Sequence, residues 1–305
     1  MRFLWFAAPL GVALVIAPRA AAAQAVPGRD LFDFTVGALA EAPALAIESA
    51  GGLYNPATLL LAPVGRLRAS VAHLNAQGDR GLTGEVLGVE WRARPRLAGA
   101  LSVARIGLSG IPLTTESPDV MPGMTVAYDS FVFSGGVAYR PVRHIALGGA
   151  LRYRAGRVDT VRAGRAGADA GIVIDGLLGR HDLRLGASTF LWRPRALRDD
   201  RPLGTLGADA RVVGSTVARE VRLGASYLGS RGGERETYGY ITGRLRNVEG
   251  RAGLARAARA DGDAESRVRL GLGLRYARFH VAIAREEGES ALGSIYQFTL
   301  STLLK

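Results

Sequence analysis

The chain has 305 residues, a formal net charge of +12 and no cysteine. This length fits a single large β-domain, and the lack of cysteine excludes disulfide bonds, thiolate metal sites and cysteine nucleophiles. The arginines are spread along the chain without a basic block, so a nucleic-acid partner is not expected.

Residues 1–23 have the pattern of a secretory signal peptide. Arg2 precedes an apolar run from residue 3 to residue 17, and three alanines at 21–23 precede Gln24. The run is shorter than the about 20 residues that a membrane-spanning helix needs. We therefore expect export of the chain and cleavage after residue 23.

Residues 24–64 form a second segment, which is apolar but irregular. A helical turn is expected over 40–46 and a tight turn over 49–52, and Asn55 is followed by Pro56. Proline restricts the preceding residue to extended conformations and removes a backbone donor. A segment this apolar has to be buried against the rest of the chain.

From residue 65 onward the hydrophobic pattern has a period of two. In residues 267–276, RVRLGLGLRY, one face carries arginine and glycine, and the other carries valine, leucine and tyrosine. Because successive side chains of a strand point to opposite faces, this pattern predicts a strand with one fully apolar side.

Turn signals divide residues 65–305 into about 14 such strands. Short connections alternate with longer polar ones, such as 108–128 and 158–165. Strands of about 10 residues, an even number of them and alternating loop lengths are typical of outer-membrane barrels. The predicted strands are 65–74, 82–92, 96–107, 129–140, 145–157, 166–177, 182–192, 205–214, 218–228, 235–245, 248–258, 267–276, 278–287 and 294–304.

A soluble β-sandwich or periplasmic barrel would also show alternation. Three features favour the membrane: arginine, glycine, serine and alanine on the polar faces, tyrosine or tryptophan at the ends of apolar faces, and enough strands to close a ring. The predicted fold is all-β: a transmembrane antiparallel β-barrel of about 14 strands, residues 65–305, with an N-terminal hatch or plug segment, residues 24–64.

The run YNPATLL resembles the Asn-Pro-Ala signature near the mature N-terminus of the FadL superfamily of outer-membrane transporters. The preceding VGALAEAPALAIESAGGL is similar to the entry segment of its PorV and PorQ relatives, which are closest in size. The resemblance implies a hatch that plugs a 14-stranded barrel, with Tyr54, Asn55, Pro56 and Ala57 as the hatch motif. Asn55-Pro56 would either turn the hatch inside the lumen or start a loop at the periplasmic rim.

Signs of catalysis or metal binding are weak. The four histidines are scattered, and no zinc-type spacing, nucleophile elbow or phosphate-binding loop lies in a suitable context. We therefore expect neither an enzyme nor a bound metal or cofactor.

Arginines on the predicted inward faces are the distinctive feature. They need partners or water, because charge is costly on the lipid side. They could pair with acids of the hatch, line a path for an anionic solute, or form a water-filled ladder without a specific ligand. The inward arginines are Arg66, Arg68, Arg152, Arg154, Arg184, Arg222, Arg267, Arg269 and Arg275, and the hatch acids are Asp30, Asp33, Glu41 and Glu48.

Two functions follow from the resemblance. The first is a PorV/PorQ-type barrel that acts in protein secretion or surface assembly with secretion-system subunits. The alternative is a FadL-like passive transporter of hydrophobic or amphipathic small molecules. Both imply contact with lipid in the outer membrane of a Gram-negative-type bacterium.

Overall fold

The computed structural model describes residues 31, 34–48, 52–62, 66–76, 81–112, 125–158, 161–192, 202–216, 219–230, 235–258, 264–288 and 293–304. The expected signal peptide, residues 1–23, lies outside this part of the chain. Among the described residues, none belongs to a helix with the length and apolar character needed to cross a membrane.

Fourteen strands form one antiparallel sheet, which closes because β1 pairs with both β2 and β14. The predicted closed antiparallel β-barrel of 14 strands is thus confirmed. The strands are β1 Leu67–Ala76, β2 Leu82–Arg94, β3 Leu97–Pro112, β4 Thr125–Val142, β5 Ile145–Val158, β6 Val161–Leu177, β7 Leu183–Trp192, β8 Leu203–Thr216, β9 Arg219–Ser230, β10 Arg235–Leu245, β11 Val248–Ala258, β12 Ala264–Tyr276, β13 Phe279–Gly288 and β14 Ile295–Leu304.

The two ends of the barrel differ in their connections. At the short-turn end, where β1 begins and β14 ends, Arg246 and Ala277 adopt left-handed backbone conformations (φ 55° and 52°). Each of them is the first residue of a two-residue hairpin turn. A left-handed conformation there matches the right-handed twist of the flanking strands. The other end, here called the loop end, carries the connections after β1, β3, β5, β7, β9, β11 and β13.

Strands at the loop end extend further than the sequence predicts. Residues 108–112, 125–128 and 161–165 were expected to be loops and are strand. Val158 pairs with Val161, so β5 and β6 continue almost to their connection. Apolar alternation marks only the part of a strand that faces lipid, whereas backbone pairing continues beyond it.

The outer face of the barrel is apolar. Along β12, Val268, Leu270, Leu272 and Leu274 are all about half exposed, while Arg269 between them is fully buried. The alternation predicted for residues 267–276 therefore separates an apolar exterior from a polar interior.

Residues 34–48 and 52–62 lie inside the ring and are largely buried. They contain two short 3₁₀ helices, here called η1 (Pro43–Leu45) and η2 (Pro56–Leu60). The helical turn expected over 40–46 is thus shorter than predicted. η2 packs on β3–β6 and η1 on β7–β9, so the two helices contact neighbouring sectors of the barrel wall.

Replacement of Leu272 by arginine would place a charge in the middle of the apolar exterior of β12. We expect Leu272→Arg to lower the free energy of unfolding by about 2–4 kcal/mol, measured by urea titration of the barrel in lipid vesicles. Leu272→Ala is the control for lost apolar area. An equal effect of both variants would contradict a lipid-facing position.

Candidate functional site: the lumen and the segment inside it

Asn55 is the polar centre of the N-terminal segment. Its Nδ2 donates to the carbonyls of Ala44 in η1 (2.8 Å) and Ile172 in β6 (3.3 Å). Its Oδ1 accepts from the backbone N–H of Ala57 (3.1 Å), which caps η2 at its N-terminus. One fully buried side chain thus links both 3₁₀ helices to the barrel wall. Pro56 follows as the first residue of η2, where no backbone donor is needed.

Glycines on the inner wall allow this close approach. A Cβ at Gly171 would overlap Oδ1 of Asn55. A Cβ at Gly148 would overlap the backbone of residues 56 and 57, and a Cβ at Gly186 would overlap the carbonyl of Ala44. Gly148 pairs with Gly171 across β5 and β6. These three glycines, here called the glycine belt, bring the segment's backbone directly onto the sheet.

Other wall side chains hold the segment by its carbonyl groups. Ser188 donates to the carbonyl of Tyr54 (2.7 Å), and Arg152 donates to that of Leu53. The Tyr54 hydroxyl lies 2.7 Å from the carbonyl of Val36 within the segment. Irregular backbone enclosed in a barrel needs such partners, because little water is available to replace them.

Two of the four predicted hatch acids meet the same arginine. Glu41 lies 2.8 Å and Glu48 2.5 Å from the guanidinium of Arg251 on β11. Glu48 also lies 3.4 Å from Nε2 of His280. Arg251 was not among the predicted lumen arginines. Asp30 and Asp33, the other two predicted acids, lie outside the described residues.

Burial raises the pKa of Glu41 from its usual 4.5 to about 7, against the opposing attraction of Arg251. Repulsion from Glu48 and Glu249, which share Arg251, contributes to this rise of the Glu41 pKa. Three carboxylates around one guanidinium cannot all be neutralised by it, so Glu41 holds a proton more tightly in the folded protein than in the unfolded chain.

The structure places the predicted arginines in different settings. Arg66 precedes β1 and is exposed, Arg154 is fully buried on β5, and Arg68 donates to the carbonyl of Ile47 (2.6 Å). The others contact carboxylates of the barrel itself. These pairs are Arg152 with Asp169, Arg184 and Arg222 with Asp209, Arg267 and Arg269 with Glu286, and Arg275 with Glu249.

A charged cavity of about 300 Å³ lies between the segment and the short-turn end. Six arginines and five acids line it, so most of the positive charge is compensated and a small positive excess is left. Its charged lining residues are Glu41, Asp182, Arg184, Asp209, Arg211, Glu220, Arg222, Arg244, Glu249, Arg251 and Arg275. Among the residues that the structure describes, no group of histidines and acids is arranged to hold a metal ion.

The lumen toward the loop end contains an apolar cluster, next to the ion pairs that Arg267 and Arg269 form with acids of β10, β12 and β13. Inward-facing side chains of eight strands, β1–β4, β7–β9 and β14, pack with apolar side chains of the N-terminal segment. We call this set the apolar lumen cluster. Its larger members are Leu31, Val36, Leu39, Leu53 and Tyr54 of the segment, and Leu74, Leu82, Ile106, Phe190, Leu203, Leu228 and Ile295 of the strands.

Comparison with known proteins gives a fold but no sequence relative. No protein-family profile matches the chain, and no curated protein matches it in sequence. A FadL homologue of Pseudomonas aeruginosa has a TM-score of 0.56 at 10% identity, with 88% of this chain and 97% of that chain covered. The toluene transporter TodX of Pseudomonas putida has a TM-score of 0.56 at 12% identity, with 85% and 94% covered. The CymD monoaromatic hydrocarbon channel has a TM-score of 0.55 at 15% identity, with 87% and 96% covered.

At these identities the comparisons establish similarity of fold. The chain has the architecture of FadL-type outer-membrane barrels. The resemblance suggested by YNPATLL is thus supported at the level of the FadL-type barrel. The comparisons provide no support for the more specific likeness to PorV and PorQ.

Replacement of Asn55 by aspartate keeps its shape but removes both donors and sets a carboxylate against two carbonyls. We expect Asn55→Asp to release the N-terminal segment and to lower the free energy of unfolding by about 1–3 kcal/mol for each carbonyl left without a donor. Limited proteolysis in detergent should then cut within residues 34–62. Asn75→Asp, at an exposed position on β1, should have no such effect, and equal cleavage of both variants would contradict this role.

The pKa of Glu41 predicts a pH dependence. A carboxyl whose pKa is raised from 4.5 to about 7 by folding makes stability fall as pH rises between these values, because the folded state binds the proton more tightly. We expect Glu41→Gln to flatten this fall in the thermal unfolding midpoint measured from pH 4 to pH 8. Glu287→Gln, on the exposed outer face, is the control. A curve for Glu41→Gln that parallels the unmodified protein would rule out this origin.

Proposed function

We propose that the protein is a passive channel for hydrophobic or amphipathic small molecules in the outer membrane, and that residues 24–64 act as its hatch. The observation that carries this proposal is the apolar lumen cluster at the loop end. In outer-membrane barrels the longer loops face the outside of the cell. This cluster, beside the ion pairs of Arg267 and Arg269, would be part of the first interior surface that an entering solute meets.

An apolar interior surface is not needed for a channel that conducts water-soluble compounds. The interiors of porins are polar and filled with water. Leucine, isoleucine and phenylalanine side chains directed into the lumen favour an apolar solute, because its transfer out of water stabilises the bound state by about 25 cal/mol for each Å² buried.

The hatch would have to move for a solute to pass. In the described structure, Leu31, Val36 and Leu39 occupy the space inside the ring. Polar contacts through Asn55, Glu41 and Glu48 hold the segment to the wall. Gly37 also donates to the side chain of Gln297 on β14, near the loop end. Opening of the hatch would therefore break polar contacts as well as displace the apolar side chains.

Below the hatch, the six arginines and five acids of the cavity favour water and polar groups, with a small excess of positive charge. Arg184, Arg222 and Arg251 already contact carboxylates. A free anion would therefore compete with fixed partners, which weakens the hypothesis that these arginines form a path selective for anions. The charged cavity fits the polar end of an amphipathic solute, with only a weak preference for an anionic one.

The relatives in fold support transport over secretion. TodX is a toluene transporter and CymD a monoaromatic hydrocarbon channel, and neither description is that of an enzyme. We extend this class of solute to the present chain as part of the proposal. No comparison favours the PorV/PorQ-type role in protein secretion, and no contact of the described residues singles it out.

A disulfide between hatch and wall would test the channel. A Cβ at Gly271 would lie 3.1 Å from the Cβ of Ala40, close to the 3.5–4.5 Å of disulfides, and the chain has no other cysteine. We expect Ala40→Cys/Gly271→Cys, when oxidised, to abolish uptake of toluene or a long-chain fatty acid into proteoliposomes. Reduction should restore it.

The two single-cysteine variants are the matched controls, and a hydrophilic sugar is the control solute. They should take up the hydrophobic probes under both redox conditions and exclude the sugar. Uptake that continues unchanged through the oxidised double variant would contradict a mobile hatch. If the unmodified protein transported neither hydrophobic probe, the proposed function itself would fail.

A further inference from the structure

The outer wall of the barrel carries an open depression of about 820 Å³ over β6–β11. Its floor is formed by the outward-facing Ala208, Ala225 and Gly239, which are small residues on three adjacent strands. Larger apolar side chains, among them Leu185 and Leu254, form the sides.

The strand register arranges these residues in one row across the sheet. Leu185 pairs with Ala208, Ala208 with Ala225, Ala225 with Gly239, and Gly239 with Leu254. Directly paired residues share a face of the sheet. The three small residues therefore form a continuous gap in the apolar exterior, bounded by a leucine at each end.

The next row toward the loop end turns polar. Tyr227 pairs with Thr237, and Thr237 pairs with Arg256. All three side chains face outward, are exposed and line the depression at its upper edge. Arg235, also outward and exposed, lies diagonally beyond Arg256 on β10. Two guanidinium groups and two hydroxyl groups thus border an apolar depression on one side only.

The height of this polar edge matches the membrane boundary. From Val248 at the short-turn end to Arg256, β11 advances eight residues, or roughly 20 Å along the membrane normal for a strand tilted by about 40°. The apolar band of outer-membrane barrels is about 25 Å tall. Arg256 therefore lies near the outer edge of this band, where its long side chain can reach the lipid head groups, and the floor of the depression lies among the acyl chains.

We infer that this depression binds one lipid with a phosphate head group. Its acyl chain would fill the gap over Ala208, Ala225 and Gly239. Its phosphate would accept hydrogen bonds from Arg256 and the hydroxyl groups beside it, as guanidinium groups readily donate to phosphate. The positive charge of the edge selects a phosphate-bearing lipid over a neutral one.

A second depression on the opposite wall serves as an internal comparison. It measures about 790 Å³ and is bordered by the outward-facing Leu87, Leu101, Phe133, Leu151 and Tyr153. Arg152 also lines it, but this residue is buried and faces the lumen. Among the described residues that border it from outside, none is charged, so we expect it to take acyl chains without discriminating between head groups.

Native mass spectrometry of the detergent-purified protein can test the site. The probes are phosphatidylglycerol and a diacylglycerol with the same acyl chains. We expect one phosphatidylglycerol to bind more tightly than the diacylglycerol. Arg256→Gln should weaken its binding about fivefold, the effect of about 1 kcal/mol for one basic residue near a membrane surface. Ala225→Leu, which fills the floor, should weaken both lipids.

Matched controls carry the same changes elsewhere on the outer face. Arg162→Gln and Ala155→Leu, on β6 and β5 outside the depression, should leave binding unchanged. Equal weakening by Arg162→Gln and Arg256→Gln would show general charge attraction and overturn the site. Unchanged binding in Ala225→Leu, equal affinity for the two lipids, or a dimer in place of the lipid adduct would also overturn it.

Discussion

A β-sheet surrounded by lipid cannot leave an edge of backbone N–H and C=O groups unpaired, and the rest of this structure depends on that constraint. Fourteen strands satisfy it because β1 pairs with β14 along its whole length. Closure gives every strand an outer and an inner face. The outer face is apolar, as lipid demands, and the inner face encloses a space that has to be filled.

The need to fill that space explains which residues line the inner wall. The N-terminal segment brings irregular backbone into the lumen, so its polar groups need partners there. Asn55, Ser188 and Arg152 supply many of them, and the glycine belt leaves room for the segment to approach. The wall arginines would be costly without counter-charges, and carboxylates of neighbouring strands provide these. The apolar lumen cluster is the part of the filling that a hydrophobic solute could replace.

The sequence predicted the parts of the fold that lipid dictates. Period-two alternation located all fourteen strands, and the Asn-Pro pair pointed to the buried segment. The sequence did not reveal which side chains pair inside the lumen. Asp209, for example, pairs with arginines of neighbouring strands, and the register of those strands cannot be read from the sequence. Arg251 was missed because glycine and alanine interrupt the apolar face of β11, although its inward parity with Glu249 was a usable signal. The glycine belt was not predicted either, because a glycine in a strand does not indicate which part of the chain packs against it.

Successive residues of each strand contact acyl chains and the lumen in alternation. Because the chain has no cysteine of its own, this alternation can be measured directly. Single cysteines placed in turn at residues 268–276 of β12 can carry a fluorophore in vesicles that contain lipid-attached quencher. The account predicts strong quenching at even-numbered positions, which share the outer face with Leu272, and weak quenching at odd-numbered ones, which share the inner face with Arg269. Quenching without this period, or none at any position, would contradict a barrel whose exterior lies in lipid.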